Sequence, residues 1–497
     1  VYAYIGDMIL KGYAPYKDAW DVKSPGIFFQ FAAAFALFGR TGFAANLMDG
    51  LIAVLAAWAL FSVGERWRGW RAGLFAAVSW VLLYFAYVSK GWDGQPETTG
   101  VLLVSWLMLL GMKEAPFSRW ESVTSGLICA LLLWYKLPFI VFGALLLPRL
   151  RRSKVTWGVI WPALAAFLGV AALFVGYFAS KGALADLYEG AVLFPLRLAT
   201  LEKGDISTQS ANFYRELYQI GRGATGPVVF ALIGLLVLAA TRVRGREILL
   251  TMFALGIGLL LVVGQGRYFA YHWLLALPSV SLLAGIGVDS LARWAKSRSA
   301  CLAACMMAAV LLSVFPARGE ESPAHTERCI ADTSAFLWST FSGTYLRTGE
   351  IYDYWARVET NYGEKLKMDA RTSPEFGRIL REETNEDESI LCFDIEPSIN
   401  FYAERRAPTR FLYLWYLGLR KMQDLGWYLE FARGVMAKKP KFIVVCKEYQ
   451  GTFGYVDGEE RLAAWPELGA WFKENYLPVV DMEVGVMKTF IHKDAVQ

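Results

Sequence analysis

Apolar residues fall into long runs at 44–63, 72–88, 98–112, 123–147, 155–178, 224–240, 248–263, 271–288 and 300–315, with charged residues gathered between them. Several reach the ~20 residues a helix needs to cross a bilayer, and the shorter ones can cross with aromatic and snorkelling flanks. The run 27–37 is too short to span and is expected at the membrane interface. From residue 316 the pattern changes. Short β-rich runs occur at 389–393 and 441–445, helical apolar spacing at 424–438 and 462–474, and a closing strand pair at 479–482 and 486–492. The pattern predicts a polytopic α-helical membrane bundle over 41–315, preceded by a loop with interfacial helices over 1–40 and followed by a small α/β domain over 316–497.

Basic residues decide how the runs are threaded. Arg66, Arg68 and Arg71; Lys113 and Arg119; Arg149, Arg151, Arg152 and Lys154; Arg242, Arg244 and Arg246; and Arg293, Lys296 and Arg298 form clusters between runs, and the positive-inside rule places them all on the cytoplasmic side. Both ends of 123–147 then lie on one side, so that run is not a single crossing. Two arms of ~12 residues would each be about 18 Å long, short of a ~30 Å core. The run is therefore expected to be two short helices turning near Tyr135, Lys136 and Pro138, with Lys136 at membrane depth, either snorkelling or holding an anionic group. This parity leaves 1–40, 89–97, 179–223, 265–271 and everything after 315 extracytoplasmic.

Composition narrows the class. With 497 residues, 56% hydrophobic, 19% charged and a mean hydropathy of +0.35, the chain is too apolar for an ordinary soluble enzyme. The net charge of +5 is spread in the inter-run clusters and reads as membrane topology, not as a nucleic-acid footprint. Cys129, Cys301, Cys305, Cys329, Cys392 and Cys446 show no metal-binding spacing; the first three sit in apolar runs, and the last three leave room for one disulfide in an oxidising compartment. The chain opens on Val1 with no basic region or cleavage site, so an upstream membrane helix is expected.

Candidate chemistry gathers in three places. Residues 7–26 form an aromatic and charged loop closed by Pro25-Gly26, in which Asp21 and Lys23 stand two residues apart. Such a pair at a bilayer surface can position a lipid phosphate and a reacting hydroxyl, or simply anchor the loop. Gln95-Pro96-Glu97 opens a membrane helix with Asp93 nearby; a glutamate there suits either chemistry or the helix dipole. The segment Gly266-Arg267-Tyr268-Phe269 with Tyr271-His272-Trp273 suits an interfacial belt as well as a site. Trp92, Trp134 and Tyr135 can stack on a sugar or isoprenoid, or anchor. The absence of an Asp-x-Asp pair or histidine cluster predicts catalysis without an obligatory metal, and a nucleotide-sugar donor is disfavoured.

These residues carry a resemblance. Gly12-Tyr-Ala-Pro15-Tyr16-Lys-Asp18 followed by Asp21-Val-Lys23-Ser-Pro25-Gly26 resembles the first outer loop of the GT-C glycosyltransferase superfamily, in the bacterial branch of the aminoarabinose transferase of lipid A and relatives of protein O-mannosyltransferases. Gln95-Pro96-Glu97, the 266–273 segment with Pro278, and 397–410 with Tyr402, Arg405, Arg406 and Arg410 are similar to later parts of that layout. The resemblance implies an enzyme of the bacterial cytoplasmic membrane that takes a sugar from a polyprenyl-phosphate donor and passes it, with inversion, to a hydroxyl of lipid A, a protein or a glycan. It implies Asp21, Glu97 and Asp93 as candidate catalytic carboxylates, Lys23 as the leading phosphate contact, and Lys136, Arg267 and His272 as further donor contacts. Lys-Pro-Pro of the family is Lys23-Ser24-Pro25 here, and the family's opening Asp-Glu pair would precede Val1, so the stretch 1–497 is expected to lack that acid/base. Two rivals compete. A transporter or lipid flippase would put charges near mid-membrane, where Asp49, Asp289 and Lys136 stand out, but no paired repeat accompanies them. A non-catalytic envelope scaffold leaves the acid/base loop unexplained.

Overall fold

The computed structural model describes residues 1–88, 94–152, 156–200, 206–223, 225–241, 245–266, 268–296, 372–393, 397–412, 414, 417, 426–446, 449–451, 454–482 and 487–496. Helices occupy every predicted apolar run from 44 to 288, and 300–315 lies outside the described residues. In chain order the helices are α1 Tyr2–Leu10, α2 Pro25–Phe38, α3 Gly42–Arg68, α4 Trp70–Val88, α5 Pro96–Met112, α6 Arg119–Tyr135, α7 Leu147–Arg152, α8 Trp157–Ser180, α9 Leu184–Tyr188, α10 Phe194–Thr200, α11 Ile206–Gly223, α12 Thr225–Ala240, α13 Arg246–Gln265 and α14 Leu277–Lys296. Among the described residues four segments are long and apolar enough to cross a membrane: α3, α8, α13 and Tyr271–Trp294, which joins a 3₁₀ turn to α14. The run expected at the interface is α2, 14 residues or about 21 Å long.

Contacts divide the chain into two units, Val22–Gly319 and Val1–Asp21 with Glu320–Gln497. The first is the helical bundle. Its centre is α5, apolar on all sides and buried except at Leu102 and Trp106, as an all-round hydrophobic helix must be. Small residues let neighbours approach closely: a Cβ on Gly126 of α6 would lie 2.0 Å from the carbonyl oxygen of Ala163 in α8, and one on Gly285 of α14 would lie 2.2 Å from that of Ala72 in α4.

The run 123–147 is a hairpin. Helix α6 opens on a capping box, Ser118 with Glu121, and ends at Lys136, whose extended backbone (φ −166°, ψ 122°) turns the chain. Leu137–Leu146 then returns as a 3₁₀ helix, so inward positions recur every three residues: Phe139, Phe142 and Leu145 are all fully buried. The return is closed by Arg149, which donates to the carbonyls of Leu110, Ala115 and Pro116 and lies 2.7 Å from the Glu121 carboxylate. The hairpin thus begins and ends at the same end of the bundle. Its first arm is longer than the ~12 residues expected, because α6 starts at Arg119 and its 17 residues span about 25 Å. A second break of this kind follows α13, where Gly266 adopts a left-handed conformation (φ 64°) and Ala270–Ala276 forms a 3₁₀ turn leading into α14.

The second unit holds a four-stranded sheet. Its strands are β1 Ile390–Phe393, β2 Phe442–Cys446, β5 Tyr476–Pro478 and β6 Met487–His492, in the order β1-β2-β6-β5, with β1 and β2 parallel and the other pairs antiparallel; β3 Tyr449–Gly451 and β4 Gly454–Val456 form a separate hairpin. Ile390, Cys392, Val444 and Met487 pack with Phe376 and Leu380 of the helix Thr372–Glu382. Two expectations are corrected. Residues 480–482 form a 3₁₀ turn, and β6 pairs with Tyr476–Pro478, which lies just upstream and directly follows a helix. The helical run at 462–474 is two helices, Gly458–Ala463 and Leu468–Asn475, split at Pro466, which cannot continue an α-helical ladder. Cys392 is a buried free thiol, and Cys329 lies outside the described residues.

Candidate functional site

Helix starts and ends set the site in the bundle. Gln95 precedes Pro96, whose fixed φ suits the first helical position, and this places Glu97 in the first turn of α5 with 0% exposure. A carboxylate so buried needs a partner. Lys136, at the hairpin turn, supplies it: its Nζ lies 2.7 Å from Glu97 Oε1 and donates to Gln265 Oε1, at the end of α13, at 2.6 Å. The other carboxylate oxygen, Oε2, has no hydrogen-bond partner among the described residues. Three helix termini therefore meet at one ion pair with an unused acceptor.

Lys23 and His272 meet on a single ring. Lys23 Nζ donates to the Tyr271 hydroxyl at 3.4 Å and sits 4.6 Å from the ring centroid, a cation–π geometry. His272 is buried and packs edge-on against the same ring at 4.5 Å. Tyr268, just upstream, holds a left-handed backbone (φ 51°), a strained conformation that a non-glycine residue keeps only under tertiary constraint.

The sequence candidates are distributed unevenly. Glu97 and Lys136 are in direct contact, and Lys23 and His272 share Tyr271. Asp93 and Arg267 lie outside the described residues. Asp21 and Lys23, read from the sequence as an adjacent acid and base, belong to different units. Asp21 is buried in its own unit, where burial pushes the Tyr16 phenol up and the Asp21 carboxylate adds to that shift. Other residues of the outer-loop motif have structural work there. Asp18 Oδ2 accepts from the Ala14 amide at 2.8 Å, Arg410 donates to the Tyr16 carbonyl at 3.2 Å, Arg406 lies 4.2 Å over the Tyr13 ring, and Trp20 packs on Phe411 and Trp427.

Sequence reasoning passed over Gln30, Thr99 and Gln265. Gln30 is a lone amide within the apolar run 27–37, and a polar group inside an apolar helix is the one signal that marks it. Asp49, noted as a charge within a span, is buried and accepts from the Tyr84 hydroxyl.

No protein-family model and no curated protein matches the chain by sequence. Solved structures do match in shape. ArnT from Cupriavidus metallidurans bound to undecaprenyl phosphate superposes with a TM-score of 0.59 at 15% identity, over 98% of this chain and 92% of that one. The same protein in its apo state gives 0.56 with the same identity and coverage. A weaker likeness, TM-score 0.42 at 13% identity over 96% of this chain and 66% of that one, is to an oligosaccharyltransferase of Archaeoglobus fulgidus. With helices where the apolar runs require them, a small sheet domain after the bundle and a match that covers nearly the whole of both chains, the chain has the fold of ArnT.

Proposed function

We propose that the protein is an integral-membrane glycosyltransferase that moves a sugar from a polyprenyl-phosphate donor to a hydroxyl of a lipid A, protein or glycan acceptor, with inversion, on the outer face of the bacterial cytoplasmic membrane. The observation that carries this reading is the buried Glu97 carboxylate, held through one oxygen by Lys136 and offering the other. A fold shared with an undecaprenyl-phosphate-bound ArnT supports the donor class. Fold alone does not give function, so the reading rests on the site. The basic clusters at the opposite ends of the helices support the outward placement.

In this reading a carboxylate oxygen accepts the proton of the acceptor hydroxyl. The acceptor oxygen bonds to the anomeric carbon from behind, and the bond from that carbon to the donor phosphate oxygen breaks. The electron pair leaves with the phosphate, which departs as polyprenyl phosphate with one more negative charge. Glu97 is the leading carboxylate by geometry, with Asp93 and Asp21 as the other candidates. The added charge calls for fixed cations in a low-dielectric setting, where they act far more strongly than in water. Lys23 is the foremost of these, with Lys136 and Arg267 behind it, and His272 helps to shape the donor pocket. The apolar bundle takes the isoprenoid tail, and the protein's own residues supply the acid/base and charge stabilisation.

The test is a transfer assay on purified full-length protein, with polyprenyl-phosphate sugars supplied to membranes and products read by mass spectrometry. A product heavier by one glycosyl unit is expected. Tight lipid-phosphate binding with no transfer to lipid, glycan or peptide acceptors overturns the reading in favour of a carrier-handling role.

A further inference from the structure

Gln30 lies inside α2, among phenylalanines and alanines, and is buried. Its Oε1 accepts two hydrogen bonds, from the Thr99 hydroxyl at 2.7 Å and from the Tyr135 hydroxyl at 2.8 Å. Thr99 stands two residues after Glu97 in the opening of α5, and Tyr135 is the residue before Lys136 at the hairpin turn. The same helix approaches the end of α6 so closely that a Cβ on Gly26 would lie 2.9 Å from the Trp134 carbonyl oxygen. One amide oxygen thus ties together the three elements that carry the Glu97–Lys136 pair and the lysine loop leading into α2.

We propose that Gln30 is a positioning residue for the transfer reaction, fixing the separation and aim of Glu97 and Lys136 through Thr99 and Tyr135; this rests on the glycosyltransferase reading above. The physical reasons are local. A carbonyl oxygen has two lone pairs, and here each is matched to one hydroxyl. Gln30 and Thr99 are buried, where water does not readily replace a lost partner, so the bonds hold their donors in place. Thr99 sits on the rigid first turns of α5, so its hydroxyl and the Glu97 carboxylate move together. At Tyr135 the α-helical ladder ends, and without the bond to Gln30 the hairpin turn loses a side-chain hydrogen bond to α2. A displacement of about 1 Å at a reacting group costs on the order of 100-fold in rate.

The plain alternative is that Gln30 merely satisfies two hydroxyls that would otherwise be orphaned. Two variants separate these roles. Gln30→Leu leaves Thr99 and Tyr135 without their acceptor, and lowers stability and geometry together. The triple variant Gln30→Leu, Thr99→Val, Tyr135→Phe removes donors and acceptor alike, and replacing both sides of a buried hydrogen bond by apolar groups is close to neutral for folding. Transfer kinetics and thermal unfolding are measured on detergent-purified full chain, in a preparation where wild type transfers sugar. A failure of the function appears in wild type, and a failure of the positioning role appears only in the variants. We expect kcat to fall about 10- to 100-fold in Gln30→Leu with acceptor KM within about threefold of wild type. In the triple variant the unfolding temperature returns to that of wild type while kcat stays low. Recovery of kcat together with stability in the triple variant overturns the proposal, as does a loss confined to KM or wild-type kcat in Gln30→Leu.

Discussion

Replacing Lys136 with methionine isolates the ion pair at which three helix termini meet. Methionine keeps the unbranched apolar stem, one atom shorter, and removes the charge. Glu97, 0% exposed, is then left with neither oxygen paired to a cation, and Gln265 Oε1 loses the donor it holds at 2.6 Å. Two charge-assisted bonds at about 1.5–3 kcal/mol each give roughly 3–6 kcal/mol, in line with the about 3–5 kcal/mol typical of breaking one side of a buried pair. Glu97→Gln is milder, because a neutral amide can still accept from Lys136, and it leaves the lysine partly exposed, where water compensates. The double variant Lys136→Met, Glu97→Gln removes both charges and recovers most of the loss, since the penalty lies in the uncompensated carboxylate. Thermal unfolding of full-length protein in one detergent, completed as a double-mutant cycle, gives the ordering directly. If Lys136→Met melts with wild type, or if the double variant is no more stable than Lys136→Met, the pair is not the energetic centre assigned to it.

Lys23→Ala is expected to lower transfer from a polyprenyl-phosphate sugar about 10- to 100-fold with unfolding temperature unchanged; wild-type turnover removes Lys23 from the mechanism. Glu97→Gln is expected to lower transfer more than Asp93→Asn, and the reverse order in the same assay moves the base to Asp93. Gly126→Leu forces α6 off α8, because even a Cβ there would lie 2.0 Å from the Ala163 carbonyl oxygen; expression and monodispersity in detergent should drop sharply, whereas Gly169→Leu, at an open position on α8, should leave both intact. In the sheet-bearing unit, burial pushes the Tyr4 phenol and the Cys392 thiol each up to about 12. The unfolded chain ionises them first, Cys392 from about 9 and Tyr4 from about 10, so the stability these two groups contribute is intact below pH 9 and is lost progressively as the pH rises toward 12. Unfolding midpoints between pH 8 and 11 measure the fall; a flat profile refutes it.

The hydrophobic runs located the helices because a bilayer leaves a segment few alternatives, and basic residues at both ends of 123–147 were enough to demand a hairpin. The length of its first arm was not legible, since Ser118 and Glu121 begin the helix with polar residues that look like loop. Arg149 was counted as a topology marker, yet it is buried and pins the hairpin with four side-chain hydrogen bonds. Glu97 and Lys136 were each legible as chemically suspicious; their pairing was not, because 39 residues and a chain reversal separate them. Gln30 shows only as a lone amide in an apolar run and Gln265 has no local pattern, so their tertiary partners are what give them meaning. In the second unit β1, β2 and β6 declared themselves by β-branched and aromatic residues, while Tyr476–Pro478 is three residues long and carries a proline, which sequence reasoning reads as the end of an element.

The three-residue repeat of Phe139, Phe142 and Leu145 is also a register lock. Successive residues of a 3₁₀ helix are about 120° apart, against about 100° in an α-helix, so rewinding this arm would swing Leu145 about 120° away from Phe139 and shorten ten residues by about 5 Å. Both motions would pull fully buried side chains out of the packed interior at once. The arm therefore cannot serve as a piston or a coiling spring, and Lys136, hung from its start, is mounted on a strut of fixed length.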